Sequence, residues 1–150
     1  MILNNQEINW ESTVKYLGII LDKKVTFKEH IGYIIHKWNT LIRTLYPFIN
    51  RKSSLNISNK MLIFKSVFHA VMFYGAPVWA KSANTQLRKL QVLQNKLLKL
   101  LYNKPRLYST ARIHDLAGTE LITDKMLRLC TKFYEKCSYS DYNHLNELVS

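Results

Sequence analysis

The residues best placed to do chemistry are bases. Arg88, Lys89, Lys96 and Lys99 recur at intervals that, at about 100° per helical residue, place all four within an arc of about 100°. Leu87, Leu90, Leu93, Leu97 and Leu101 fall mostly on the other side. A helix here would turn an apolar face to a core and a cationic face outward. Such a face suits a nucleic-acid backbone, because each neutralised phosphate releases condensed counterions. A solvated amphipathic helix, or one lying on a membrane surface, has the same pattern. The loop Arg51-Lys52-Ser53-Ser54 is a second place where bases could meet phosphate or simply stay hydrated.

Catalytic groupings do not assemble from the sequence. The ten acids are scattered, and no Asp-Asp or Asp-x-Asp exists to hold two metal ions for phosphoryl or nucleotidyl transfer. No GxxxxGK[ST] or GxGxxG loop is present. His30, His36, His69, His114 and His144 are spread out. His69 lies in an apolar helical stretch and reads as a core histidine rather than a ligand. Cys130 and Cys137 would be roughly 10 Å apart on a helix, beyond disulfide reach, which suits a reducing compartment. Trp10, Trp38 and Trp79 read as packing residues rather than base-stacking platforms.

The elements that would carry these residues can be read from periodicity. Residues 7–10 and 14–21 read as two short strands joined by Glu11-Ser12-Thr13 into a hairpin, and a lone hairpin needs something to pack on. Thr26-Phe27-Lys28-Glu29 reads as a capping box. It opens a helix from Phe27 to about Ile49, interrupted near Pro47, with apolar positions Ile31, Ile34, Ile35, Trp38, Leu41, Ile42 and Leu45. Ser58 would cap a second helix, Asn59 to about Tyr74, expected to be the most buried element. Gly75-Ala76-Pro77 would break it, with Pro77 biasing Ala76 away from helix. The cationic helix would start at Asn84 or Thr85 and run to about Tyr102. A turn of helix, 111–117, would be capped by Thr110 and closed by Gly118. A last helix would begin at Thr123 and end near Cys137, before a polar tail. The fold class is therefore mainly α: an N-terminal β-hairpin followed by four to five helices. The organisation reads as 1–24 hairpin, 25–106 basic helical region, 107–137 C-terminal helical region and 138–150 tail.

Composition narrows the function. With 150 residues, 47% of them apolar, the chain can bury a core. Its net charge is +12, and the excess is local. Residues 23–106 hold 16 bases against one acid, Glu29, whereas 107–150 hold 5 bases and 6 acids. An uncompensated block of this kind implies a polyanion or an acidic partner. No stretch approaches the roughly 20 apolar residues of a membrane span, and the N-terminus has no signal-peptide pattern. An intracellular protein, nuclear or cytoplasmic rather than secreted, is the expectation. Nucleic acid is the expected partner, with no small-molecule substrate and no membrane.

The ordered residues also resemble a family. Val14-Lys15-Tyr16-Leu17-Gly18-Ile19-Ile20-Leu21-Asp22, Thr26-Phe27, His30-Ile31, Leu45-Tyr46-Pro47, Arg51-Lys52-Ser53-Ser54-Leu55, Lys60, Tyr74-Gly75-Ala76-Pro77-Val78-Trp79, Leu90-Gln91 with Gln94-Asn95-Lys96, Pro105-Arg106 and Ile113-His114-Asp115-Leu116 are similar, in order, to the edge of the palm and the thumb of reverse transcriptases from non-LTR (LINE-type, Jockey-like) retrotransposons. The resemblance implies that Lys15, Tyr16, Leu17 and Gly18 match a primer-grip hairpin. It implies that the following helices match a thumb holding an RNA–DNA hybrid or DNA duplex. By the same resemblance the parent is an RNA-directed DNA polymerase, a nucleotidyltransferase whose fingers, palm, catalytic aspartates and Mg2+ would lie outside this stretch. The chain alone is then expected to be inactive and to need no cofactor of its own. Two other readings fit the residues: a free-standing basic helical module that binds nucleic acid, and an interaction protein for an acidic partner.

Overall fold

The computed structural model describes residues 11–138 together with the backbone of Ile2–Leu3 (β1) and Gln6–Glu7 (β2), which pair antiparallel. A second antiparallel hairpin joins β3, Thr13–Tyr16, to β4, Ile19–Asp22. The expected single strand over 14–21 is thus itself a hairpin. Tyr16 faces Ile19 across a two-residue turn in which Leu17 (φ 45°) and Gly18 (φ 81°) both have positive φ, as a type I′ turn requires. Gly18 adopts that conformation without strain, and its presence inside an apolar run was the signal of a turn. Of the strand expected at 7–10, only Glu7 is described, and Trp10 and residues 139–150 likewise lie outside the described residues.

The chain then enters α1, Lys28–Ile49. The expected capping box does not form: Phe27 takes the cap position in the left-handed region, with no side-chain cap. Asp22 serves the helix entry from a distance. Its carboxylate accepts from the backbone N–H groups of Lys24 (3.1 Å), Thr26 (3.0 Å) and Phe27 (2.7 Å) and from the Thr26 hydroxyl (3.0 Å). These donors, the Thr26 amide foremost, hold the Asp22 carboxyl below its ordinary range. Hairpin and helix are therefore one joint. Pro47 does not interrupt α1: it lies within the helix, two residues from its end, and the ladder closes past it, the Asn50 amide donating to the Tyr46 carbonyl at 3.0 Å.

Asn56, not Ser58, caps α2, Ile57–Ile63, by accepting from the Asn59 amide at 2.9 Å. The chain continues through a π turn, Phe64–Phe68, into α3, His69–Phe73. This stretch was expected to be the most buried, yet Leu62 and Tyr74 are exposed. Only one face is inward: Met61, Phe64, Phe68 and Met72. Trp38 of α1 stacks edge-on against Phe64 and Phe68 and donates from Nε1 to the Phe68 carbonyl at 3.0 Å. Both Trp38 and Trp79 are fully buried, as packing residues should be; burying a side chain of that size contributes on the order of 2–3 kcal/mol.

Ala76, expected outside helix, opens α4, Ala76–Trp79, because Pro77 in a first turn loses no hydrogen bond. The left-handed residue is Gly75 (φ 61°), where a Cβ would stand 2.6 Å from Ile19 Cδ1. Next come α5, Asn84–Leu101, and α6, Thr110–Ala117. Ser109, one residue before the expected Thr110, caps α6 by accepting from the Arg112 amide. The last helix, α7, runs Ile122–Ser138 and packs on α4 and α5, while α1 crosses α5. The core sits where these helices meet, lined by Ile31, Ile34, Leu90, Leu97, Leu98 and Leu101. No helix among the described residues is long and apolar enough to cross a membrane.

Candidate nucleic-acid interface

α5 divides as its periodicity requires. Leu87, Leu90, Leu97, Leu98 and Leu101 are buried, and Arg88, Lys89 and Lys96 are exposed. These three cations line one groove of about 440 Å³ between α5 and α1, with Ile35 and Asn39 on the α1 wall and Thr85, Val92 and Leu93 on the α5 wall. Val92, 51% exposed, stands one turn from Arg88, Lys89 and Lys96 and gives the groove an apolar floor that the wheel of charges did not register. Arg43, exposed on α1, continues the Ile35–Asn39 stripe by one turn. Among the described residues the only ion pair is Arg128 with Glu120, so none of the groove's cations is neutralised by an acid there.

The fourth base expected on this face is employed differently. The Lys99 ammonium donates to the Arg106 carbonyl at 2.9 Å and so ties down the loop between α5 and α6.

The hairpin tip is the second exposed feature. Tyr16 and Leu17 are 64% and 73% exposed, and Val14 and Lys15 are also outward. Lys15 Nζ lies 4.8 Å from the centroid of the Tyr33 ring, with Lys37 on the same ring at 5.8 Å. Gly18 is half-buried because it meets Tyr74, whose hydroxyl donates to the Leu17 carbonyl at 3.0 Å. The Tyr-Leu-Gly and Tyr-Gly-Ala-Pro stretches are therefore in direct contact: Tyr74 holds the turn and Gly75 admits Ile19. A small cavity of about 320 Å³ opens beside this contact, lined by Gly18, His30, Tyr33, Lys37 and Tyr74.

A third cluster was missed as a unit. Gln91 and Gln94 of α5 meet the turn before α7. The Ile122 amide donates to Gln91 Oε1 at 2.8 Å, and Gln94 Nε2 donates to the Glu120 carbonyl at 3.3 Å. His114 of α6 completes the cluster, with Nε2 2.7 Å from Asn95 Oδ1 and Nδ1 2.9 Å from the Thr119 carbonyl. These polar groups fasten three helices together. The Gln91, Gln94-Asn95 and His114 stretches are separate in the sequence; 23 residues separate Gln91 from His114, too far for periodicity to pair them.

The buried histidines are less satisfied than a core histidine should be. His30 accepts the Ile20 amide on Nδ1 at 3.4 Å, and burial pushes its pKa down. His69 takes the Lys125 ammonium on Nδ1 at 2.7 Å. Burial first, then the charges of Lys125 and Lys65, push its pKa down to about 3, so the ring is neutral. Nε2 of each ring has no hydrogen-bond partner among the described residues. No group of three or more His, Cys, Asp and Glu side chains among the described residues could hold a metal ion.

The chain is 30% identical over 147 residues to the RNA-directed DNA polymerase from mobile element jockey of Drosophila funebris, a match covering 98% of this chain and 16% of that protein. The jockey polymerase of Drosophila melanogaster is 31% identical over 134 residues, 89% of this chain and 15% of its own length. The probable RNA-directed DNA polymerase from transposon X-element of the same species is 23% identical over 139 residues, 93% of this chain and 15% of its own. The chain thus spans less than a fifth of the length of these relatives. No family model and no solved structure matches it.

Proposed function

We propose that this chain, a relative of the Jockey-like reverse transcriptases of non-LTR retrotransposons, holds the nucleic-acid duplex and does not join nucleotides. In this reading 25–106 acts as a thumb. The α1–α5 groove grips the backbone of an RNA–DNA hybrid or DNA duplex, and Lys15, Tyr16, Leu17 and Gly18 seat the primer end. The observation that carries the reading is the groove itself: Arg88, Lys89 and Lys96 converge on it from one helix face, uncompensated by any acid among the described residues. Cations so arranged repel each other until a polyanion enters. Backbone contacts of this kind position a duplex without reading its sequence.

The magnesium ions of nucleotidyl transfer do not fit the residues here. Their carboxylate ligands would come together, and no such cluster exists among the described residues. The reading therefore assigns those ions, and the chemistry they support, to other parts of a polymerase, together with fingers and palm. The exposed apolar hairpin tip, Val14, Tyr16 and Leu17, supports a palm or primer as its neighbour.

Binding of a labelled RNA–DNA hybrid across a salt series tests this. The expected result is an affinity that falls steeply with salt and is indifferent to sequence. Salt-independent binding, or none at low salt, overturns the reading. Marked sequence preference would favour a free-standing recognition module, and nuclease-resistant capture of an acidic protein would favour the interaction role.

A further inference from the structure

A second cationic cavity lies where the π turn and α3, the α6–α7 turn and α7 meet, sharing no residue with the α1–α5 groove. A cavity of about 240 Å³ there is lined by Lys65, His69, Gly118, Thr119, Glu120, Lys125 and Arg128. At about 30 Å³ per water molecule, that is room for a phosphate and its hydration. Three cations face one carboxylate, and Glu120 is already engaged, accepting from Arg128 Nε and Nη2 at 3.2 and 3.1 Å.

Lys125 carries the argument. Its half-buried ammonium makes one hydrogen bond among the described residues, and the acceptor, His69 Nδ1, is uncharged. Its other neighbour is the Phe73 ring, 4.8 Å from Nζ to the centroid. An ammonium has three donors, so two are left over, and a charge withdrawn from water without a counter-charge is costly. Burial lowers the Lys125 pKa, as do the positive charges of Arg128 and Lys65; Glu120 alone opposes them. His69 is 7% exposed, and because Nδ1 accepts from Lys125, it anchors the ammonium without giving it a counter-charge. The cavity thus has donors to spare on Lys125, and its one carboxylate is already engaged.

We propose that this cavity binds a phosphate group, with Lys125 and Arg128 as its main cationic ligands, Lys65 at the rim, and His69 holding Lys125 in place. The group can be an inorganic phosphate or monoester, or one phosphodiester of a nucleic acid that reaches past the α1–α5 groove.

The test uses the whole chain with 15N-labelled histidine. Its ring resonances are followed while inorganic phosphate is titrated against sodium chloride at fixed ionic strength. The expected result is a saturable shift of the His69 ring that His36 does not share. Lys125→Met should weaken it about tenfold or more. The exposed Arg128→Gln and Lys65→Gln variants, which leave the core intact, should weaken it in the same direction. Replacing Arg88, Lys89 and Lys96 by alanine should leave it unchanged, so failure of the duplex reading and failure of this one are separable. An oligonucleotide without terminal phosphates that reproduces the shift assigns the ligand to the backbone; a shift seen only with free phosphate assigns it to a monoester or inorganic phosphate. A His69 response equal in chloride, unaltered by all three site variants, or abolished by the α5 variant overturns the proposal.

Discussion

Replacing Arg88, Lys89 and Lys96 together by alanine should flatten the salt dependence of duplex binding by a calculable amount. Each phosphate neutralised contributes about 0.9 to the slope of log affinity against log salt. Three cations lining one groove should therefore account for about 2.7 of the slope. Between 50 and 200 mM salt, the variant should be spared about a 40-fold loss that the parent suffers. The structure makes a sharper statement than the count of bases. Counting all four bases of the helix face would give about 3.6, but the Lys99 ammonium is committed to the Arg106 carbonyl at 2.9 Å. Lys99→Ala alone should hardly alter the slope and should instead loosen the 102–109 loop, costing about 1 kcal/mol or less. Fluorescence anisotropy with a labelled hybrid, taken over that salt range, reads the slopes. Circular dichroism shows that each variant is folded. A triple variant with the parent's slope, or a Lys99→Ala slope reduced as much as that of any groove cation, refutes the reasoning.

Three further outcomes follow from the geometry. Gly75→Ala should destabilise the chain by roughly 1–2 kcal/mol, since φ is 61° and the new methyl would stand 2.6 Å from Ile19 Cδ1. Thermal unfolding measures it, and Ile19→Val in the same chain, which removes that Cδ1, should recover part of the loss; no recovery would show that backbone strain is the whole cost. Acid should weaken the fold through His69, whose pKa is about 3 when folded and about 6.5 when unfolded. Its contribution is complete above pH 6.5 and is lost as pH falls toward 3, at about 1.4 kcal/mol per unit at most. Urea unfolding at pH 7 and pH 5 should then differ by up to about 2 kcal/mol, and His69→Phe should remove most of the difference, His30 supplying a remainder of the same sign. Gln91→Leu should strand the Ile122 amide, which is buried and donates to Gln91 at 2.8 Å. The cost is about 1–3 kcal/mol, read as faster hydrogen exchange at Ile122; unchanged exchange would mean that Gln91 is not what fastens α7.

What could be read in advance follows the range of the forces involved. The two faces of α5 were legible because a 3.6-residue period sorts Leu90 and Leu97 from Arg88 and Lys96 within one segment. Helix ends were legible only to a residue or two. Where two capping side chains stand close together, as Asn56 with Ser58 and Ser109 with Thr110, backbone geometry rather than residue type selects which one receives the amide. The hairpin in 13–22 was misread because Tyr-Leu-Gly-Ile is apolar throughout, so the glycine's turn signal was outweighed by the β-branched residues around it. Asp22 gathers the amides ahead of α1 and Lys99 reaches Arg106 over short stretches of irregular backbone that have no period to read, and Gln91 meeting His114 is a tertiary contact.

The resemblance takes in six bases, Lys15, Arg51, Lys52, Lys60, Lys96 and Arg106, but many of its residues hold the scaffold rather than line the α1–α5 groove. Gly18 and Tyr74 bind the hairpin turn to α3, Gly75 makes room for Ile19, and Gln91, Gln94, Asn95 and His114 join α5, α6 and α7. Each holds one element against another. Of the cations in the α1–α5 groove, only Lys96 stands inside a stretch quoted for the resemblance, and Arg88 and Lys89 stand outside. A scaffold of this kind fixes where the groove is, and the side chains on its rim decide how strongly it attracts phosphate. The two should therefore separate on mutation. Changes at Gly75 or Gln91 should lower stability while the folded fraction keeps its salt slope, and changes at Arg88 or Lys89 should lower the slope while the unfolding midpoint stays within about 0.5 kcal/mol of the parent. A Gly75 variant that binds with a reduced slope while still folded would join the two and undo the separation.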